Sequence, residues 1–262
     1  MRAADEVLNG AVLETRGLVR RFGGLAAVSG VNLAVAPGEV RSIIGPNGAG
    51  KTTLFNLVTG ALPPTAGRVL FRERDITGLG PSEIFRLGVV RSFQVSHVFP
   101  KLPVWRNVEL MIYGRVRSSG SPFARARVPA DVVRARVDRA LGRLSLGDRA
   151  NEPAGLLSHG DRRLVEIAMA IAADPALLLL DEPTAGMSPE ETRATAALLR
   201  GLAPEITLVI VEHDMSVVMS ISDRISVLHR GEIIAEGSPA EIRANRAVQE
   251  VYLGGAVATR DR

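Results

Sequence analysis

Continuous apolar segments alternate with helical patterns at both ends of the chain. Leu177–Leu180 and Leu208–Val211 are uninterrupted hydrophobic runs, a pattern typical of central parallel strands that are covered on both faces. Segments rich in Val, Ile and Leu and bounded by turn residues predict the strands. These are Val12–Thr15, Val31–Val35, Val40–Ile44, Arg68–Phe71, Val89–Phe93, Leu177–Leu180, Thr207–Val211, Arg224–Leu228 and Glu232–Ala235.

Helical periodicity is clearest in Gly160–Ala173, where apolar side chains recur at three- and four-residue intervals. Such alternation of strands and helices predicts a mostly parallel sheet with flanking helices. Residues 95–165 contain no strong strand pattern and predict a helical insert. The predicted helices are Lys51–Thr59, Ser82–Leu87, Ala130–Leu144, Gly160–Ala173, Pro189–Leu202, Met215–Ser222 and Pro239–Ala244.

Composition narrows the class of protein. The 262 residues are 46% hydrophobic, which suffices for one large α/β domain or two small ones. Cysteine is absent, which excludes disulfides and thiolate metal sites. The first ten residues carry two acids and no apolar block, and the most apolar stretch (residues 164–180) contains charges. We therefore expect a soluble, cytoplasmic protein without a signal peptide or membrane span.

The net charge of +4 comes almost entirely from arginine, since Lys51 and Lys101 are the only lysines. A basic balance would suit nucleic acid or an anionic membrane surface. The arginines are scattered rather than clustered with aromatic residues, so we interpret them as solvated charges and expect no nucleic-acid partner. Lys51 stands where a phosphate site favours a compact ammonium over a planar guanidinium.

A phosphate-binding motif surrounds that lysine. GPNGAGKT (residues 45–52, the phosphate loop) matches G-x-x-x-x-G-K-[ST] and lies between a predicted strand and a predicted helix. Glycines let backbone N–H groups converge on phosphate, and the helix N-terminus adds positive charge. We expect Lys51 to reach the β- and γ-phosphates, Thr52 to bind Mg²⁺ and Thr53 to contact the α-phosphate. The other nucleotide-binding residues predicted here are Pro46, Asn47, Gly48, Ala49 and Gly50.

An apolar strand ending in two acids, LLLLDEP, predicts the rest of the chemistry. An acid at the carboxyl end of a buried strand lies beside the phosphate loop in this architecture. Asp181 is expected to hold Mg²⁺, directly or through water. Glu182 is placed to polarise the attacking water, because phosphoryl transfer to water needs an oriented nucleophile. The alternative, two acids that cap the next turn, is disfavoured by the phosphate loop.

The phosphate loop alone leaves the type of enzyme open. Neither lysine follows an asparagine, so the N-K-x-D motif of GTPases is absent, but a small-molecule kinase remains possible. LSHGD (residues 157–161, the signature loop) resembles a second anion site at a helix N-terminus. Ser158 or Asp161 could instead simply cap the helix, and the two roles are compatible.

Taken together, the motifs resemble those of the ATP-binding subunits of ABC transporters, in the same order and from about Leu13 to Gly254. They are GPNGAGKTT, RSFQ, LSHGD, LLLLDEP, TAGMS and VEHD. RRFGGLAAVSGVNL, RSFQVSHVFPKLPVWRNVELMI, LSHGDRRLVEIAMAIA and VQEVYLGG are most similar to the branched-chain amino acid uptake group.

The resemblance implies an α/β fold of the P-loop NTPase (RecA-like) class. Its mostly parallel sheet core carries an antiparallel β subdomain and an inserted helical subdomain. On this basis residues 11–254 form the nucleotide-binding domain, residues 95–165 form the helical insert and residues 255–262 are a flexible tail.

The resemblance also implies that two such domains sandwich each ATP between one phosphate loop and the partner's signature loop, through Ser158 and Gly160. Gln94 would sense Mg²⁺ and water, His213 would contact the γ-phosphate, and Phe22 would stack on adenine, unless Phe22 is a core residue. The predicted catalytic residues are thus Lys51, Gln94, Glu182 and His213, and the predicted metal-binding residues are Thr52, Gln94 and Asp181.

Two positions depart from the family pattern. The signature more often ends in Gln, where this chain has Asp161, and a carboxylate pointing inward there would repel phosphate. We expect it to point away. Met187 and Ser188 replace the more usual Leu and Asn or Asp in the loop that touches the partner near the dimer interface.

The function implied by the resemblance is ATP hydrolysis that drives uptake of branched-chain or other amino acids. The expected partners are a second nucleotide-binding subunit (identical or different), separate transmembrane permeases docked near Gln94 to Glu109, and a substrate-binding protein. The chain would then lie on the cytoplasmic face of the inner membrane. The alternatives are a non-transport ABC ATPase acting on DNA or ribosomes, and a P-loop kinase.

Overall fold

The computed structural model of the chain describes residues 10–92, 98–117 and 129–257. Its larger sheet has six strands, and every neighbouring pair is parallel except the antiparallel pair at one edge. Across the sheet the strands are β10 (Glu232–Gly237), β9 (Arg224–His229), β3 (Val40–Ile44), β8 (Thr207–Val211), β7 (Leu177–Asp181) and β6 (Val89–Arg91). Every residue of β3, β7 and β8 is buried, as expected for central strands covered on both faces.

The smaller sheet has four antiparallel strands. In spatial order they are β2 (Leu25–Val35), β1 (Leu13–Phe22), β4 (Ala66–Phe71) and β5 (Arg74–Asp75). The hairpin of β1 and β2 is longer than the sequence predicts. Beyond the buried Leu18 and Val28, its distal residues are partly or fully exposed, so arginines such as Arg21 interrupt the apolar pattern that identifies strands.

Nine α-helices lie in the described residues. They are α1 (Lys51–Val58), α2 (Pro81–Leu87), α3 (Val104–Arg117), α4 (Ala130–Arg143), α5 (His159–Ala172), α6 (Pro189–Leu202), α7 (Met215–Ile221), α8 (Pro239–Ala244) and α9 (Arg246–Val257). Two short 3₁₀ turns, Gly147–Arg149 and Ala154–Leu156, precede α5. None of these helices is both long enough and apolar enough to cross a bilayer.

Two of the helices, α3 and α9, are missing from the predicted set. In α3, Val104, Val108 and Ile112 share one buried face four residues apart, but Asn107 and Glu109 interrupt the pattern. Between β6 and β7, the described residues of the chain add no strand to either sheet, where a helical insert is expected. The structure therefore confirms the predicted fold class.

Strand register explains why distant motifs meet. Ile43 of β3 pairs with Val211 of β8, and Asp181 of β7 pairs with the same Val211. The carboxyl ends of these three parallel strands consequently lie at one edge of the sheet, where α/β proteins bind their ligands. The phosphate loop follows β3, Glu182 follows β7 and His213 lies two residues after β8.

A buried arginine ties this central strand to its neighbours. Arg41 in β3 is 1% exposed. Its guanidinium donates to Glu39 Oε1 (2.5 Å), Glu236 Oε1 (2.7 Å), Ser226 Oγ (2.9 Å) and the Ala34 carbonyl (2.8 Å). These partners lie on β2, β9, β10 and just before β3, so one side chain joins both sheets behind the phosphate loop.

Candidate functional site

Backbone packing fixes the shape of the phosphate loop. Gly50 precedes α1 with φ of 106°, and a Cβ there would lie 2.3 Å from the Ala27 carbonyl oxygen. A Cβ on Gly45 would lie 2.0 Å from the Leu228 carbonyl oxygen. Only glycine fits these two positions, because β2 and β9 press against the loop from outside. The loop is therefore held open toward the N-terminus of α1.

The predicted phosphate-binding residues lie around this turn. Ala49 is buried, and it anchors the loop by accepting the Gly231 N–H at 2.8 Å and donating to the Pro46 carbonyl at 3.1 Å. Asn47, Gly48 and Thr52 are exposed, and Pro46, Gly50 and Thr53 are half-buried. The exposed positions leave backbone N–H groups and the Thr52 hydroxyl accessible to a ligand.

Lys51 points back into its own loop. Its Nζ donates to the carbonyl oxygens of Gly45 (2.7 Å) and Pro46 (3.1 Å), and the residue is 7% exposed. Burial lowers the pKa of Lys51, and the negative charges of Glu182 and Asp181 oppose that shift. The structure thus places the lysine between the loop and both predicted acidic residues.

Asp181 is buried and already paired. Its side chain is 1% exposed, and its Oδ2 accepts from Arg91 Nη2 at 2.8 Å. Arg91 also donates to Asn56 Oδ1 at 2.5 Å and stacks over Phe55. Sequence reasoning missed Arg91; the only available clue was a cation within a predicted strand. The pair compensates a charge whose burial would otherwise be costly.

Glu182 and His213, which the sequence assigned to separate roles, are in direct contact. Glu182 Oε1 lies 2.7 Å from His213 Nε2, although the two residues are far apart in sequence. Glu182 has a positive φ of 49°, which is uncommon for a residue with a side chain, and its N–H donates to the Val211 carbonyl at 2.8 Å. The strained turn after β7 aims this carboxylate at His213, two residues after β8.

A second acid supports the histidine. Glu212 is 4% exposed, and its Oε1 accepts the Thr184 N–H (3.0 Å) and hydroxyl (2.5 Å). Its Oε2 accepts the backbone N–H of His213 at 2.9 Å. Glu212 therefore bridges the loops after β7 and β8. Sequence analysis did not assign it a role, because an acid before histidine carries no information about distant partners.

In the signature loop, Ser158 caps α5, which confirms the capping role considered from sequence. Its Oγ accepts the Asp161 N–H at 3.0 Å. The same hydroxyl donates to Asp161 Oδ2 at 2.8 Å, and Asp161 forms an ion pair with Arg149. The carboxylate is thus turned toward Arg149, which is the partner that sequence analysis did not identify.

The signature loop packs on the loop that precedes α6. A Cβ on Gly160 would lie 2.8 Å from Glu191 Oε1, and a Cβ on Gly186 would lie 3.1 Å from His159 Cε1. Ser188 and Glu191 form a capping box at the start of α6. The two loops expected at a dimer interface therefore contact each other within one chain.

Other predicted site residues stay apart. No hydrogen bond or ion pair joins the phosphate loop to the signature loop within the described parts of the chain. Phe22 is 45% exposed with the Arg20 guanidinium 4.7 Å from its ring centre, so the alternative of a core phenylalanine is wrong. Gln94 lies outside the described residues.

One aromatic residue near the phosphate loop was not predicted. Tyr252 on α9 lies within hydrogen-bonding reach of the Gly45 backbone, and burial raises the pKa of its phenol to about 12. The C-terminal helix thereby reaches the first residue of the phosphate loop. The sequence VQEVYLGG resembled the family but gave no indication of this contact.

Comparisons with known proteins agree with this geometry. The model of the ABC transporter family matches residues 28–185, and that of the branched-chain amino acid ATP-binding cassette transporter family matches residues 232–258. The high-affinity branched-chain amino acid transport ATP-binding protein LivG of Escherichia coli (strain K12) is 42% identical over 257 residues, which covers 94% of this chain and 98% of LivG.

Solved structures support the same family. The ADP conformation of an ATP-binding cassette of an ABC transporter superposes with a TM-score of 0.80 at 34% identity, covering 93% of this chain and 99% of that one. A dimeric cassette in a post-hydrolysis state, bound to ADP and Pi, gives a TM-score of 0.71 at 28% identity, covering 87% and 98%. The chain belongs to the ABC transporter family, as one of its ATP-binding, ATP-hydrolysing cassettes.

Proposed function

We propose that this cassette drives import of branched-chain or related amino acids through separate membrane permeases. The observation that carries the catalytic part is the 2.7 Å contact between Glu182 and His213 beside the phosphate loop. The solute is supported by likeness to LivG and by the C-terminal match to the branched-chain amino acid cassettes. A substrate-binding protein would deliver the solute, and the chain would lie peripherally on the cytoplasmic face of the inner membrane.

Nucleotide binding would use the phosphate loop and the exposed aromatic. Backbone N–H groups of residues 46–50 and the N-terminus of α1 would receive the phosphates. Lys51 would turn from the Gly45 and Pro46 carbonyls toward the β- and γ-phosphates, and Thr53 would contact the α-phosphate. Phe22 is exposed at the end of β1 and is free to stack on adenine.

The residues present fit a magnesium ion. Thr52 offers an exposed hydroxyl at the first turn of α1, and Asp181 offers a carboxylate at the end of β7. Oxygen ligands of this kind suit Mg²⁺, which proteins usually bind through a few side-chain oxygens together with waters and substrate phosphates. Thr52, Asp181 and Gln94 would hold it. Bound there, the ion would neutralise charge on the transferred phosphoryl group.

Hydrolysis would rest on Glu182. Its carboxylate would accept a proton from the attacking water, and His213 would hold the carboxylate while contacting the γ-phosphate. Glu212 fixes the backbone at His213 and also accepts the N–H of Thr184. The position of His213 beside Glu182 therefore depends on the buried contact between Glu212 and Thr184. Lys51 would balance the charge that develops on the phosphoryl oxygens, a preorganised electrostatic contribution.

Two cassettes would share each nucleotide. The phosphate loop and the signature loop of one chain make no hydrogen bond to each other within the described residues, which supports a signature loop that serves a partner's nucleotide. Ser158 and Gly160 would then approach the γ-phosphate of the second subunit, whether identical or different. A related cassette, solved bound to ADP and Pi, is dimeric.

The catalytic assignment is tested with Glu182→Gln. We expect ATP hydrolysis to fall by about 10²- to 10⁴-fold, the usual contribution of a general base. Light scattering should at the same time show an ATP-dependent dimer that persists. Glu73→Gln, the same change at an exposed turn of the small sheet, is the matched control and should behave as wild type. A Glu182→Gln variant that hydrolyses ATP at the wild-type rate would contradict the assignment.

The transport assignment is tested in membranes. Permease subunits are proposed to dock near Gln94 to Glu109, where Phe99 is 52% exposed. Purification in mild detergent through a tag on this chain should recover transmembrane proteins. Uptake of labelled leucine should be lost with Glu182→Gln and retained with Glu73→Gln. Unchanged leucine uptake in a strain lacking this chain would overturn the proposed solute.

A further inference from the structure

A carboxylate stands in the loop that must accept phosphate. Asp161 follows Gly160 directly and lies in the first turn of α5, where the helix dipole favours any anion. Its Oδ2 accepts the hydroxyl proton of Ser158 at 2.8 Å. An uncompensated negative charge here would repel the γ-phosphate of the partner's nucleotide. It would also compete with that phosphate for the same hydroxyl.

A cation from a separate segment neutralises this carboxylate. Arg149 ends the 3₁₀ turn Gly147–Arg149, and its Nη1 pairs with Asp161 Oδ2. Two further donations to Glu152, each 3.3 Å long, hold the guanidinium in place. These contacts, with the Glu152 hydrogen bond largest, raise the pKa of Arg149, so it stays charged. The side chains of Arg149 and Asp161 are 37% and 25% exposed, which leaves the pair at the loop surface.

We propose that Arg149 is a positioning residue for ATP hydrolysis: its ion pair neutralises the Asp161 carboxylate, so that the signature loop can receive a phosphate. This proposal rests on the sandwiched nucleotide of the proposed function. The positive charge of Arg149 acts on the ground state and the transition state alike, because the γ-phosphate is anionic in both. Loss of the Arg149 charge should therefore raise the KM for ATP more than it lowers kcat.

The experiment is a double-mutant cycle on the ATPase, purified from its host through a tag on this chain with the subunits it binds. Arg149→Ala should raise the KM for ATP about 5- to 10-fold, as expected when a partly exposed charge loses its partner. Asp161→Gln alone should leave the KM unchanged or lower. Arg149→Ala combined with Asp161→Gln should return to within about two-fold of wild type, since the carboxylate within the signature loop is then gone.

Ionic strength supplies a readout that a purely structural role would not move. The KM defect of Arg149→Ala should shrink between low salt and about 0.5 M salt, because ions screen exposed charges. Arg200→Ala, which breaks the comparably exposed ion pair of Arg200 and Asp223, is the matched control and should keep the wild-type KM. A defect that persists in the Asp161→Gln background and is insensitive to salt would overturn the proposal.

Gly160→Asp separates this inference from the proposed function. It places a carboxylate without an arginine partner in the signature loop, so the proposed sandwich predicts a strong loss of hydrolysis. Because a side chain at this position also crowds Glu191, circular dichroism and urea unfolding must first show that the variant keeps the wild-type fold. If Gly160→Asp is fully active, the sandwiched nucleotide is wrong. If Gly160→Asp is inactive while Arg149→Ala has the wild-type KM, only the role of Arg149 is refuted.

Discussion

Replacing Arg41 by methionine should destabilise the cassette far more than the same replacement of a surface arginine. Methionine keeps the length of the side chain but removes all four hydrogen bonds that Arg41 makes to Glu39, Glu236, Ser226 and Ala34. Glu39 is 8% exposed and would become a buried carboxylate without its counter-ion. Breaking a buried ion pair from one side costs about 3–5 kcal/mol, and we expect the free energy of unfolding to fall by that amount.

The assay is equilibrium urea unfolding without nucleotide, followed by far-ultraviolet circular dichroism and by the fluorescence of Trp105. Arg200→Met is the control, because its pair with Asp223 has side chains 47% and 38% exposed and should contribute about 0–1 kcal/mol. Combining Arg41→Met with Glu39→Gln and Glu236→Gln should recover part of the loss, since no buried charge is left unpaired. A loss for Arg41→Met no larger than that of the control would refute this explanation.

Three further outcomes follow from the same geometry. Gly50→Ala should weaken binding of a fluorescent ATP analogue at least 10-fold, because φ of 106° costs an L-residue about 1–2 kcal/mol even before the clash with Ala27. Gly201→Ala, in the last turn of α6 with open space around it, should bind normally. His213→Ala should lower kcat about 100-fold with little change in nucleotide affinity, and normal turnover would exclude its contact with Glu182 from the mechanism. Asp214→Ala should cost about 1 kcal/mol at pH 7, because Asp214 caps α7. The Ser216 hydroxyl holds the pKa of Asp214 below its usual value, so its stabilisation is complete above about pH 4 and fades as the pH falls through the lowered pKa; urea midpoints of wild type and variant should converge there.

Features that depend only on residues close together in the chain could be predicted from the sequence. The phosphate loop needs glycine where the backbone turns left-handed, and the central strands need continuous apolar runs because both faces are buried. Those rules located β3, β7 and β8 and the residues at their ends, including Lys51, Glu182 and His213. Parallel pairing then makes it predictable that the ends of these strands share one edge of the sheet.

Tertiary structure alone decided which distant charges meet. Arg41 reaches Ser226 and Glu236, and Arg91 reaches Asp181, across separations that no local pattern encodes. The local sequence does not show which of the scattered arginines are buried. Only the packing of the fold distinguishes the arginines that neutralise buried acids from those exposed to water. The effect of the Asp161 carboxylate on the signature loop likewise depends on Arg149, because a neighbouring opposite charge neutralises it. The tertiary structure decides which residue becomes that neighbour.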